Sequence, residues 1–397
     1  MTDIAGRLGE LRDSGLYRRL RLVQSPQGSR VLLDGNDVLL LCSNDYLGLA
    51  SHPRVRTAAA EAAMRWGAGA GSARLISGNM PPHCELERRL AAFKGYESAL
   101  LFGSGYLANT GTIAALAGRG EVVFSDELNH ASIIDGCRLS RAETFVYRHA
   151  DVEHLAWGLR EAGGRAALIV TDGLFSMDGD LAPLVDLTDL ARRHGCRLLV
   201  DEAHATGVLG PDGRGSVAAA GLSGEVDVVV GTLGKALGSY GAYVCASPEL
   251  TEYLLNAARS FVFSTAPPPP AAAAARAALD MLEAHPERVE RVAANAATLR
   301  RALAAEGLPV GSSGTQIVPL AIGDAKLTMS FCERLLEGGV FAQGIRPPTV
   351  PEGTSRLRFS VTATHRRAEL ENAAKLIGAT ARGLGLSRSS DPVAAAA

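Results

Sequence analysis

The residue pattern predicts an α/β fold, with a mostly parallel seven-stranded sheet covered by helices and a smaller α+β domain at the C-terminus. Three observations carry the prediction. Between His83 and Gly241, short strand-like runs alternate with helix-like segments, the order expected of a parallel sheet covered on both faces. The run Val226-Asp-Val-Val-Val230 is short, valine-rich and bounded by breakers, as a buried strand is. Finally, Ser264-Thr-Ala-Pro-Pro-Pro-Pro270 interrupts the alternation, and a strongly helical stretch, Ala271–Glu283, follows as a spine into the second domain.

Taken in order, residues 1–45 read as an N-terminal arm: a short amphipathic helix, then Arg18, Arg19 and Arg21, then the turn-rich Ser25-Pro-Gln-Gly28. A large domain is expected over 46–285. Pro53 opens an alanine-rich helix to about Trp66, since proline is tolerated at a first helical position. Gly67-Ala-Gly-Ala-Gly71-Ser-Ala-Arg74 is too small in side chain to pack a core, which suits either close backbone approach to a ligand or a flexible linker. Strands are expected at 98–102, 121–125, 144–147, 166–171, 197–201, 226–230 and 242–246, with helices at 84–94, 106–117 and 184–194 among those between them. The small domain, 286–385, carries expected helices at 287–305, 326–337 and 366–383 and strands near 316–322 and 355–362. Residues 386–397 are mostly Ser and Ala and are expected to be a disordered tail.

Composition narrows the function classes. The 397 residues carry a net charge of −2 without a basic block, which argues against nucleic-acid or membrane-surface binding through bulk charge. Aromatics at 5% argue against base-stacking platforms. No apolar run approaches the roughly 20 residues of a membrane span, and the N-terminus has neither a basic head nor an apolar signal core. Six cysteines are scattered without a Cys-x-x-Cys pair, so a disulfide framework or zinc site is not expected and a reducing cytoplasm fits best.

In sheets of this kind ligands bind beyond the carboxyl ends of the strands, so the residues found there are the informative ones. Lys235 follows the 226–230 run between two glycines; a desolvated lysine amine can form a Schiff base, although a surface lysine is the commoner finding. Gly103-Ser-Gly-Tyr-Leu-Ala-Asn109 turns from a strand into a helix, either as an anion site suited to phosphate or as a plain turn. Ala108 stands where the dinucleotide fingerprint has its third glycine. Asp126 and His130-Ala-Ser132 follow the second strand, where a histidine opening a helix is more often a cap than a catalyst. Asp172 and Ser176 follow the fourth strand. Asp201 and His204 follow the fifth; as a metal pair they lack a third ligand at useful spacing. A carboxylate at a buried strand end needs a cationic partner. A phosphate turn, a buried carboxylate and an amine are together what pyridoxal phosphate uses, through its phosphate, its protonated ring nitrogen and its aldehyde.

The constellation resembles the fold-type I pyridoxal-phosphate enzymes and, within them, the α-oxoamine synthases. The resemblance runs from about residue 16 to 380. It rests on Ser43-Asn-Asp-Tyr-Leu-Gly48, Asn129-His-Ala-Ser132, Phe175-Ser-Met-Asp-Gly179, Asp201-Glu-Ala-His204-x-Thr-Gly207 and Thr232-Leu-Gly-Lys235. It implies an enzyme that joins an amino acid to an acyl thioester with loss of carbon dioxide. Lys235 resembles the Schiff-base lysine that also takes the α-proton, Asp201 the partner of the ring nitrogen, and His130 the residue stacked on the ring. His204 and Ser176 would bond near the ring oxygen, and Gly105, Tyr106 and Thr232 would hold the phosphate. Arg358 would grip the amino-acid carboxylate through its planar fork. Asn44, His130, Thr349 and Arg18 match substrate-contacting positions; Arg19 or Arg21 could take the role of Arg18 in a shifted register. The loop Ile345-Arg-Pro-Pro-Thr349-Val-Pro-x-Gly353-Thr-Ser-Arg-Leu-Arg358 looks most like members that condense L-alanine with a pimeloyl thioester, on CoA or a carrier protein, in biotin synthesis. Ala73 stands where relatives often carry Ser or Thr, which is compatible with alanine and does not exclude glycine or serine. A glycine C-acetyltransferase-like enzyme, or a synthase using another thioester, is the alternative. A cofactor-free binding module is the remote one. The family is typically homodimeric with its site at the subunit interface, which would bring Ser264 and Thr265 to the partner's phosphate site.

Overall fold

The computed structural model describes residues 3–311 and 313–386. The chain divides into two compact units. One is Leu49–Ser176 with Asp180–Val289; the other is the chain up to Gly48, Met177–Gly179 and the chain from Glu290 onward. The expected tail lies, from Ser387, outside the described residues.

In the first unit a seven-stranded sheet is built from β1 (Ser98–Phe102), β2 (Val122–Asp126), β3 (Glu143–Tyr147), β4 (Ala166–Asp172), β5 (Arg197–Asp201), β6 (Val228–Thr232) and β7 (Ala242–Ala246). The order is β1-β7-β6-β5-β4-β2-β3, and β7 alone runs against its neighbours. Val123, Leu168, Val170, Leu199, Val228, Val230 and Val244 are buried in one cluster with Ile113 and Ile133 from the covering helices. Each such side chain contributes roughly 1.5–3 kcal/mol by leaving water, which is why the β-branched runs become the central strands. The strands β6, β5, β4 and β2 lie side by side and end in Thr232, Asp201, Asp172 and Asp126, so one edge of the sheet carries a row of polar residues.

The strand expected at 226–230 sits two residues later. Asp227 is taken up by a side-chain bond, its Oδ2 accepting from the Leu198 amide at 2.8 Å. Gly231, which reads as a breaker, is a laddered residue opposite Tyr243. A Cβ there would stand 2.3 Å from Cζ of Tyr243, so glycine is present to admit the ring. The helices Pro53–Trp66, Pro81–Lys94, Gly105–Leu116 and Leu184–His194 follow the expected spacing. Arg74–Gly78, left without assignment in sequence, is a π-helical turn whose Arg74 pairs in bidentate fashion with Glu87 at 2.8 and 2.9 Å.

In the second unit Ile317–Gly323, Ser355–Ser360 and Gln343–Ile345 form an antiparallel sheet. Helices Ala325–Glu337 and Arg367–Gly383, with Leu299 and Leu303 of Glu287–Ala305, close a core around Phe331, Phe359, Leu370 and Ile377. Residues expected only as arm form a hairpin, Arg30–Leu33 with Asn36–Leu40, and Leu39–Leu40 pairs in parallel with Val340–Phe341. Asp34 and Gly35 take φ of +46° and +85°, the primed turn that an Asp-Gly pair favours. The N-terminal segment thus belongs to the same compact unit as the C-terminal residues.

Candidate active site

Asp201 is the buried centre of the polar row. Its Oδ2 accepts from Nδ2 of Asn109 at 2.6 Å, and its Oδ1 accepts from the Ala203 amide at 2.8 Å. Asn109 reaches it from the second turn of the helix Gly105–Leu116, and its other Nδ2 proton goes to Oγ of Ser132 at 2.9 Å. The neighbouring Glu202 serves a different group: Lys94, Oγ of Ser216 at 2.9 Å and the Val217 amide at 2.6 Å.

Asp172 lies in register with Asp201 on the adjacent strand. Burial and then the Asp201 charge push its carboxyl well above the usual range. It accepts the His130 amide at 2.8 Å, while Asn129 spans the gap between strands through Val170 O and the Asp172 amide. The Asn129–Ser132 motif therefore has a structural reason beyond any contact with ligand.

His130 caps the helix Ala131–Ser140, its Nδ1 accepting from the Ser132 amide at 3.3 Å. Oγ of Ser132, which already accepts from Asn109, stands 2.7 Å from the same Nδ1. Its own hydroxyl proton is then free for His130, so Nδ1 is an acceptor and the neutral ring carries its proton on Nε2. Surrounding protein depresses the His130 pKa, aided by Lys235 and opposed by Asp201, although the residue keeps a solvent-accessible surface. The candidate site histidine is thus also a helix cap.

Lys235 is half-buried three residues beyond β6, with Nζ 2.9 Å from Nε2 of His204. Thr232 closes that strand end, donating to Gly241 O at 3.2 Å and accepting the Gly234 amide at 3.3 Å. At the start of the helix Gly105–Leu116, Ser104 takes the Leu107 amide at 3.2 Å. The Gly105 and Tyr106 amides belong to the first turn, which has no intrahelical acceptors. The Tyr106 hydroxyl itself bonds Asp135, so only its amide remains for an anion. Ser176 is buried just beyond β4. Thr265 bridges Ala73, with Ser264 half-buried beside it.

In the other unit the structure brings Asn44 to Arg358: Nη2 donates to Oδ1 of Asn44 at 2.6 Å and to Oγ of Ser360 at 3.3 Å. Arg358 is buried and held on a strand, leaving the rest of its fork unpaired by these two bonds. Arg18 is exposed in the segment where Arg346 donates to Tyr17 O at 2.8 Å, and the Thr349 amide bonds Arg346 O at 3.1 Å. Arg19 and Arg21 are both engaged by Glu333, at 2.8 and 2.7 Å, and among the described residues Arg18 has no such ion pair.

These residues fit pyridoxal phosphate on the structure's own terms. Two buried carboxyl groups sit side by side, and because burial and the Asp201 charge hold Asp172 toward its neutral form, Asp201 is the member of the pair that a cationic ring nitrogen would meet. Among the described residues, Oδ1 of Asn109 is buried without a hydrogen-bond partner. An amine, a helix N-terminus and a neutral imidazole complete the set. Sequence reading passed over Asn109, Ser132 and Asp172 as contributors. Asn109 had a signal, since it lies four residues after Gly105 and so on the same helix face.

Comparison with known proteins agrees. The family model for aminotransferase class I and II matches residues 36–377. An 8-amino-7-oxononanoate synthase of Geobacter sulfurreducens is 54% identical over 387 residues, 97% of this chain and 99% of that protein. One from Symbiobacterium thermophilum is 49% identical over 97% of this chain and 99% of its own. Among solved structures, a serine palmitoyltransferase from S. paucimobilis superposes with a TM-score of 0.92 at 34% identity, covering 97% of this chain and 98% of that one. An 8-amino-7-oxononanoate synthase from Francisella tularensis gives 0.75 at 28% identity, over 87% and 98%. The fold is that of the fold-type I pyridoxal-phosphate transferases, and the chain belongs to the aminotransferase class I and II family, in the group whose members are named 8-amino-7-oxononanoate synthase.

Proposed function

We propose that this enzyme uses pyridoxal 5′-phosphate to condense L-alanine with a pimeloyl thioester, borne by CoA or a carrier protein. The products are 8-amino-7-oxononanoate, carbon dioxide and the free thiol, a step of biotin biosynthesis. The observation that carries the reading is the buried Asp201 carboxylate, oriented by Asn109, on the strand beside the one that delivers Lys235. The bound cofactor would supply an electron sink for the carbanion at the amino-acid α-carbon. Asp201 would hold its ring nitrogen in the cationic form, and the Gly105 and Tyr106 amides, with Thr232, would hold its phosphate.

Nζ of Lys235 takes the α-proton, and the contact with Nε2 of His204 orients that amine. His130, kept neutral and fixed by Ser132 and Asp172, offers a ring face that does not repel a cation. His204 and Ser176 would hydrogen-bond near the bound cofactor's ring oxygen. Arg358, steadied by Asn44, grips the amino-acid carboxylate, where a bidentate fork gives orientation as well as attraction. Arg18 and Thr349 contact substrate. We further propose a cytoplasmic homodimer in which Ser264 and Thr265 serve the partner's phosphate site; no helix among the described residues is long and apolar enough to cross a membrane.

The test is carbon-dioxide release from alanine, glycine and serine with a panel of acyl thioesters. Alanine with pimeloyl donors should dominate; preference for glycine with acetyl or succinyl donors would sink the substrate assignment. Multiple turnover by Lys235→Ala would remove the lysine's role.

A further inference from the structure

A half-buried histidine that the proposed reaction does not use lies close to the carboxyl ends of the strands. His149 follows β3, and its ring stands between two carboxylates. Nδ1 lies 3.0 Å from Oδ1 of Asp126, the last residue of β2, and Nε2 lies 2.6 Å from Oδ2 of Asp180. Because a carboxylate can only accept, both ring nitrogens donate and the ring is an imidazolium.

The two carboxylates depend on it unequally. Asp126 also accepts the Leu128 amide at Oδ1 and the Ala150 amide at Oδ2, both at 2.9 Å. Among the described residues the Asp180 side chain receives no other hydrogen bond, and its Oδ1 is buried without a partner. Asp180 in turn closes the turn that carries Ser176: its backbone O accepts the Phe175 amide at 3.0 Å, and Leu174 bridges Leu181. The His149 ring meets Phe175 edge-on at 4.4 Å between centroids. Thus the same histidine touches the turn at both of its ends.

We propose that His149 is a positioning residue for this enzyme: by clamping Asp180 to Asp126 it holds the Phe175–Asp180 turn, and through it Ser176, in the geometry the reaction uses. The catalytic part of the inference rests on the role proposed for Ser176; the clamp itself does not.

The two parts are tested separately. Hydrogen–deuterium exchange on the chain without cofactor should show faster exchange over residues 173–181 in His149→Phe, which keeps a ring of similar size beside Phe175 but no donor. The rest of the sheet should be unchanged. His149→Gln, with one amide group in place of two ring donors, should fall between. Unchanged exchange over 173–181 in both variants would overturn the clamp.

In the loaded enzyme, misplacing a contacting group by about 1 Å can cost on the order of 10²-fold, so His149→Phe should lower kcat by roughly 10- to 100-fold. Its effect should not add to that of Ser176→Ala in the double variant. The cofactor absorbance spectrum of the two single variants should shift in the same direction. Additive losses, or a lower thermal midpoint with unchanged kcat per folded site, would reduce His149 to a structural residue. Failure of the wild-type enzyme to turn over pimeloyl donors would instead refute the substrate reading and leave the exchange result standing.

Discussion

Asn109→Leu removes one side chain of similar size and isolates what the amide does for Asp201. Two hydrogen bonds disappear, at 2.6 Å to Oδ2 of Asp201 and 2.9 Å to Oγ of Ser132. A hydrogen bond to a charged group contributes about 1.5–3 kcal/mol, and a buried acceptor stripped of its donor keeps the desolvation penalty. Oδ1 of Asp201 retains the Ala203 amide, so the carboxylate stays in place but rotates more freely. At about 1.4 kcal/mol per tenfold, the loss converts to roughly 10- to 150-fold weaker cofactor binding. Absorbance titration of the cofactor-free protein with pyridoxal phosphate measures it directly. Thermal stability should fall by less than the binding energy, because the unpaired Oδ1 of Asn109 is removed at the same time. Cofactor affinity within twofold of wild type would refute the argument that Asn109 orients the ring-nitrogen partner.

The other predictions concern the strand, the carboxylate grip and the half-buried His149. Gly231→Ala places a Cβ 2.3 Å from the Tyr243 ring and should cost about 1–3 kcal/mol of stability by overpacking, with Lys235 displaced; a wild-type thermal midpoint and wild-type kcat together would contradict this. Arg358→Lys keeps the charge but loses the planar fork, so KM for the amino acid should rise about tenfold or more with KM for the thioester little changed; equal changes in both would detach Arg358 from the amino acid. Burial disfavours the charged form of His149, yet Asp126 and Asp180 outweigh it and push its pKa up to about 10. Because that value lies above the unfolded one of about 6.5, the stabilisation is complete below pH 6.5 and is lost as pH rises toward 10. Denaturant unfolding from pH 6 to 10 should show the decline, and His149→Phe should flatten it; parallel curves would contradict the ion-paired state.

Much of the candidate site was legible because its residues sit at element ends, and element ends are written locally. Asp201 and Lys235 follow apolar runs, and the glycine turn at 103–105 announces a helix start. Other parts were not legible for definite reasons. Gly231 reads as a breaker in any local window, whereas its role is to accept the ring of Tyr243 on the neighbouring strand. The Arg30–Leu40 hairpin carried its Asp34-Gly35 signal, but Asn36 and Asp37 of Asn36–Leu40 are exposed and its parallel partner is about 300 residues later, at Val340–Phe341. Tyr106 was legible as a position and not as a hydroxyl, because Asp135 claims that group from another helix.

By itself the sequence determined the alternation of strands and helices, the polar character of the strand ends and the lysine that follows β6. It also carried the motifs by which the family is recognised. Only the tertiary structure decided which of those ends are neighbours. β4 lies between β5 and β2, with β3 at the outer edge, so Asp172 meets Asp201 and Asn109 can reach across to it. The same lateral order places His149 between Asp126 and Asp180. Periodicity along a chain reports how deeply a segment is buried. It does not report which segment lies beside it, and both the raised pKa of Asp172 and the placing of His149 between two carboxylates are properties of that side-by-side order.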